Sequence, residues 1–194
     1  NTPKKPEKYS VFHKLLSMFS VVRGYNIFII VLAQYLAAIF IFAPEKSLRE
    51  TLLNPDLFLI VLATTCVIAA GYIINNFYDV KKDVINKPIK TKIDSIVSQK
   101  VKLNSYFVLN FVGVLFGLLV SWRAAVFFSV YIFLIWLYSH KLKKYPLTRL
   151  ISASVLALWP FFAIFVYFKN FSTIIFTHAL FLFLVLMIKE LVKD

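Results

Sequence analysis

Asn75, Asp79 and Asp83 recur at intervals of four in the stretch GYIINNFYDVKKDVINKPIKTKID, residues 71–94. On a helix that advances 100° per residue they fall at about 0°, 40° and 80°, and Asn86 returns to about 20°. One helix face would therefore carry two carboxylates and two amides, a set of hard oxygens suited to Mg²⁺, with Mn²⁺ as the alternative. Mg²⁺ keeps several waters and shares its shell with phosphate oxygens, so an incomplete protein shell points to a phosphorylated ligand. Lys and Arg side chains on neighbouring loops would neutralise the remaining phosphate charge. The same stretch continues a hydrophobic run. Ionisable groups at the end of a membrane helix are costly unless they meet water, a metal or an opposite charge, which makes this face a candidate functional site.

The elements that must hold this face follow from composition. The 194 residues are 60% hydrophobic and 18% aromatic, with only 4 Gly, too apolar for a soluble domain of this length. Apolar runs predict six membrane spans, at about 25–43, 56–76, 104–121, 124–138, 150–168 and 172–189. The third and fourth are short and separated by a tight turn at Ser121 to Arg123, since one long helix would leave Arg123 at the bilayer centre. Cationic residues alternate with the spans. Lys4, Lys5, Lys8, Lys14 and Arg23 precede the first, Lys81 to Lys102 follow the second, and Lys141, Lys143, Lys144 and Arg149 follow the fourth. The opposite loops hold only Lys46, Arg49, Arg123 and Lys169. The excess of positive charge marks the cytoplasmic side, so both ends and the Asp79–Asp83 cluster are expected there.

Other features narrow the reading. The formal net charge of +13 sits in loops between spans, which suits anionic headgroups and a minority of phosphate contacts rather than nucleic acid. Cys66 is the single cysteine, so disulfides and CxxC chemistry are excluded. His13, His140 and His178 are scattered without metal-ligand spacing. Residues 9–23 space Tyr9, Phe12, Leu15, Leu16, Phe19 and Val22 three and four apart, as an amphipathic helix lying in the membrane interface would. Two units are expected: a basic arm with this helix, 1–24, and a transmembrane domain, 25–194. Pro88 and the Lys-rich residues 87–103 are expected to end the Asp-bearing helix and form a cytoplasmic loop. Pro160, mid-span in the fifth helix, predicts a kink that either lines a cavity or is met by packing.

Asn75-Asn76-Phe77-Tyr78-Asp79-Val80-Lys81-Lys82-Asp83 resembles the first Asp-rich motif, N-D-x-x-D-x-x-x-D, of the UbiA superfamily of intramembrane prenyltransferases. Arg23-Gly24-Tyr25-Asn26 looks like that family's R-P-x-N signature, and Tyr138-Ser139 with Leu142-Lys143 is similar to its Y-S-x-x-L-K loop. Ile188 to Asp194 looks like the opening of its second Asp-rich motif, with Glu190 and Asp194 as the acidic pair or, as favoured here, Asp194 as the first member. Three positions depart from the pattern: Asn76 stands where Asp is common, Gly24 where Pro is usual, and Lys87-Pro88-Ile89-Lys90 where R-P-x-R-P is common. The first removes one potential acidic ligand, and the others alter loop stiffness and phosphate contacts.

The resemblance implies an all-α, multi-span transmembrane bundle around a cytoplasm-facing cavity. Six of an expected nine helices are present, so the chain reads as C-terminally truncated. It implies transfer of a polyprenyl group from an allylic polyprenyl diphosphate to an acceptor in the membrane: an aromatic compound, a quinone precursor or a glycerol phosphate. Asp79, Asp83 and Asp194 would be catalytic, and Asn75, Asp79, Asp83, Glu190 and Asp194 would hold Mg²⁺ or Mn²⁺. Arg23, Asn26, Tyr138, Lys141 and Lys143 would bind the diphosphate. The INKP run resembles the digeranylgeranylglyceryl phosphate synthases, and the expected location is a bacterial or archaeal inner membrane. Aromatic side chains of the spans suit an isoprenoid tail and an allylic cation. The rival reading is a transporter for a cation or phosphorylated solute, which should place its acids near the membrane midplane.

Overall fold

The structure, a computed structural model, describes residues 10–169 and 172–192. Among these residues the architecture is all-helical. A short helix α1 (Val11–Val21) leads into α2 (Gly24–Ala37), which ends in a π-helical turn over Ala38–Phe42. Then come α3 (Leu48–Leu52), the long α4 (Pro55–Asn86), α5 (Pro88–Asp94), α6 (Gln99–Val120) and α7 (Trp122–His140). A 3₁₀ turn over Leu142–Lys144 connects α7 to α8 (Pro146–Phe168), and α9 spans Thr173–Val192. Six of these segments are long and apolar enough to cross a membrane: Gly24–Phe42, Pro55–Asn86, Gln99–Val120, Trp122–Lys144, Pro146–Phe168 and Thr173–Val192. The chain is an integral membrane protein.

α4 is the axis of the bundle. Its 32 residues extend about 48 Å at 1.5 Å per residue, against a hydrocarbon core of about 30 Å. The apolar part, with Ile60, Ala63, Val67, Ala70 and Ile73 essentially inaccessible, packs on α6, α7, α2 and α8. The polar overhang from Asn75 onward therefore remains helical without the bilayer around it. Close packing of α6 depends on missing side chains: a Cβ on Gly113 would lie 2.8 Å from Val67 of α4, and one on Gly117 would lie 2.8 Å from Phe128 of α7. The small-xxx-small spacing lets backbones approach where lipid supplies no hydrophobic drive.

Helix ends are fixed by local chemistry. Asn54 caps α4 by accepting from the Leu57 N–H at 2.9 Å and also receives the Tyr167 hydroxyl at 2.9 Å. Ser121 separates α6 from α7 and accepts from the Ala124 N–H at 3.1 Å, so the predicted turn is present. Both flanking helices are longer than expected, because their polar ends at Gln99 and His140 stay helical. Residues 87–103 are not the expected loop. Pro88 starts α5 at a position where its missing N–H leaves no bond unmade, and Ser98 caps α6 through the Val101 N–H. α5 is held down from outside, by α1.

Pro160 lies within α8 and is met by packing. It offers no N–H to the Leu156 carbonyl four residues back, and the buried Tyr131 hydroxyl of α7 donates to that carbonyl at 3.1 Å. The Pro160 carbonyl in turn accepts from Gln34 Nε2 at 2.9 Å, and Gln34 also donates to Thr64 at 3.1 Å. A neutral polar knot thus joins α2, α4 and α8 inside the bundle.

Candidate functional site

The overhang of α4 brings the first group of sequence-predicted residues together. Lys143, on the 3₁₀ turn after α7, donates from Nζ to Asn75 Oδ1 at 2.9 Å and to Asp79 Oδ1 at 2.7 Å. Lys143 and Asp79 side chains are 16% and 25% exposed, half-withdrawn from water. The ammonium also sits 5.9 Å from the centre of the Tyr78 ring. The turn bearing Lys143 is braced by the Thr148 hydroxyl, which donates to the Leu142 carbonyl at 2.6 Å. Asp83 lies one turn further along α4, with Lys87 Nζ at 3.8 Å.

Arg23 and Asn26 approach from the other side. Arg23 occupies the left-handed region, φ 51°, at the junction of α1 and α2. That conformation is uncommon for a residue with a side chain and is held only where the surroundings fix it. Gly24 follows it in a space without room for a side chain: a Cβ would lie 2.0 Å from the Phe19 ring. The usual Pro of the signature would meet the same ring. The Arg23 guanidinium lies 5.2 Å from the centre of the Tyr72 ring, and Asn26 Nδ2 reaches the Tyr72 hydroxyl at 3.5 Å. Arg23, Tyr72, Asn75 and Asp83 line one small cleft. It adjoins an open groove of about 410 Å³ whose lining includes Phe19, Arg23, Tyr25, Lys87 and Lys90.

The remaining predictions divide. Tyr138, near the end of α7, lies within electrostatic reach of Glu190, Arg149, Asp79 and Arg23. It thereby relates α9's acid to the α4 cluster. Lys141 is exposed just past α7, and the structure does not bring it against Asn75 or Asp79. Asp194 lies outside the described residues.

Sequence reasoning missed a second polar cluster beside the first. Asp94, 3% exposed, accepts from Ser20 of α1 at 2.7 Å, Asn76 Nδ2 at 3.1 Å and Lys90 Nζ at 2.5 Å. Lys102, 2% exposed, donates to Asn76 Oδ1 at 3.1 Å. Asn76 uses both ends of its amide here, which is why a residue with a donor as well as an acceptor fits that position. One signal was available: Asp94 is the only acid between Lys87 and Lys102.

A hard divalent ion fits the first cluster. The Asn75 and Asp79 oxygens already converge on one positive atom. Among the described residues no group of three or more His, Cys, Asp or Glu side chains is placed to hold a metal alone, so an ion there would need oxygens from a bound phosphate.

A model of the UbiA prenyltransferase family matches residues 31–194. The digeranylgeranylglyceryl phosphate synthase of Pyrococcus horikoshii is 30% identical over 100 residues, which cover 52% of this chain and 36% of the relative. A solved structure from work on the biosynthesis of digeranylgeranylglyceryl phosphate synthase in membranes superposes with a TM-score of 0.70 at 21% identity. That match takes in 91% of this chain and 60% of the solved one, and it concerns the fold. The chain thus spans about a third of the curated relative's length by sequence.

Proposed function

The chain belongs to the UbiA prenyltransferase family, and from that premise we propose that it transfers a polyprenyl group from an allylic polyprenyl diphosphate to an acceptor in the membrane. The observation that carries this is the convergence of Asn75 Oδ1 and Asp79 Oδ1 on the Lys143 ammonium. It joins a cation-ready oxygen pair to a phosphate-suited cation at the polar end of an apolar bundle. Asn75, Asp79 and Asp83, with Glu190 on the α9 side, would hold Mg²⁺ or Mn²⁺. The ion would neutralise charge developing on the departing diphosphate.

The chain's own groups account for the rest. Lys143, Arg23 and Asn26 bind and orient the diphosphate, and Tyr138 lies between the two acidic regions. The C–O bond of the donor breaks with its electron pair leaving on the diphosphate. The new bond forms from the acceptor's nucleophilic atom to the same allylic carbon, and the acceptor's proton passes to solvent or a phosphate oxygen. The groove beside Arg23 combines Lys87 and Arg23 with the apolar faces of Phe19 and Tyr25, which suits an acceptor with an anionic head. Together with the relationship to a digeranylgeranylglyceryl phosphate synthase, this favours a glyceryl phosphate lipid over an uncharged aromatic acceptor. α1, with Phe12, Leu15 and Phe19 exposed, would lie in the cytoplasmic interface while docked on the bundle through Ser20 and Asp94.

The transporter reading loses ground on depth. Asp79 and Asp83 sit toward the end of α4 and Glu190 toward the end of α9, whereas the buried knot deep in the bundle, Gln34 with Thr64, is neutral. Conversion of a labelled polyprenyl diphosphate in the presence of a prenylated glyceryl phosphate is the test. Product should appear with Mg²⁺ or Mn²⁺ and vanish in excess chelator; undiminished turnover under chelation would overturn the metal-assisted reading.

A further inference from the structure

Lys143 stands where the family's chemistry wants a metal, because both oxygens it engages, on Asn75 and Asp79, are the ones assigned above to the ion. A divalent cation and an ammonium cannot share that pair, since two positive centres within hydrogen-bond distance of the same oxygens repel strongly in a half-desolvated site. One must leave before the other enters. The geometry shows which group is free to move. The Lys143 backbone is fixed by the braced 3₁₀ turn, whereas its side chain has four rotatable bonds. Asn75 and Asp79 are held on a continuous α4 helix.

We propose that Lys143 is a resident counter-ion of the donor site, competing with the metal for Asn75 and Asp79 until a diphosphate draws its ammonium away. The inference rests on the donor-binding reading above and adds an order to it. Metal alone binds weakly because it must strip Lys143 of its partners and leave the ammonium beside a dication. Diphosphate supplies the displaced ammonium with phosphate oxygens, so metal and diphosphate favour each other's binding. By linkage the enhancement is the same in both directions. The site consequently admits a metal-diphosphate unit in preference to bare ions, while the carboxylate of the empty site keeps a partner.

Mn²⁺ binding to the purified protein in detergent, followed by electron paramagnetic resonance with and without inorganic diphosphate, tests this without turnover. In the wild type, saturating diphosphate should tighten Mn²⁺ at least about 10-fold, and Lys143→Met should tighten Mn²⁺ in the absence of diphosphate by a similar factor while shrinking the coupling. Lys143→Arg, which keeps the charge, should leave Mn²⁺ alone weak. A Lys143 that only grips diphosphate predicts unchanged Mn²⁺ affinity in Lys143→Met, and a merely structural lysine predicts a weaker one; either result overturns the proposal without bearing on the reading of the chain as a prenyltransferase. Should Lys143→Met not fold, additive binding of Mn²⁺ and diphosphate to the wild type would overturn it alone. Absence of Mn²⁺ binding even with diphosphate would take down the donor-site reading as well.

Discussion

Two polar clusters share one turn of α4 and use the same residue types. On one side Asn75 and Asp79 hold Lys143; on the other, Asn76 links Lys102 to Asp94, which also holds Lys90 and Ser20. The difference lies in closure. Asp94 has three donors and Lys102 is sealed from solvent, so the Asn76 cluster joins α1, α4, α5 and α6 into one structural joint. The Asn75 cluster has one cation spread over two oxygens, partial exposure, and a cleft and groove at its edge. A satisfied buried network resists change, whereas an incompletely surrounded one can exchange its cation for a ligand.

Asp94→Ala gives the largest expected effect. It leaves Lys102 buried without its counter-charge and frees α5 from α1, a loss of about 3–5 kcal/mol for breaking a buried pair from one side. Unfolding in detergent by denaturant or heat measures it. A change within about 1 kcal/mol would mean that water or lipid headgroups replace Asp94, and the contrast in closure would be lost.

Asp79→Asn should reverse the pattern. The pair it breaks is partly exposed, so stability should move by no more than about 1 kcal/mol. Prenyl transfer should fall at least about 10²-fold, the scale of removing an electrostatic stabiliser at a reacting centre. Parallel assays of melting and of labelled-donor conversion read both halves. Activity surviving in Asp79→Asn would move the chemistry away from Asn75 and Lys143.

That contrast also separates what the sequence disclosed from what it concealed. The six spans were legible because long apolar runs have few other uses, and the polar face of α4 was legible because Asn75, Asp79 and Asp83 keep helical spacing past the end of the hydrophobic run. Spacing could not pair Asp79 with Lys143, 64 residues away, although the alternation of positive loops placed them on one side. α5 was hidden because a Lys-rich stretch beginning at Pro88 has the composition of a loop, and its helix is held by Ser20, on a different element. Asn76 read as a lost ligand because sequence gives a residue's face on a helix but not the neighbour waiting there. Pro160 was visible as a break in the ladder, while the hydroxyl that repairs it was not.

Tyr131→Phe sets the lower bound of the comparison, because it removes one neutral bond from a region as closed as the Asp94 network but without charge. The Leu156 carbonyl would lose the hydroxyl that stands in for the N–H missing at Pro160. The ring would still stack on Trp159, whose centre lies 5.7 Å away at 20° between planes. Burial would thus be kept and only the hydrogen bond lost, a cost of about 1 kcal/mol. The same unfolding assay measures it, and donor conversion should be unchanged. If this variant lost as much stability as Asp94→Ala, charge would add nothing to the joint between α1 and α5, and closure alone would set what each polar group in the bundle contributes.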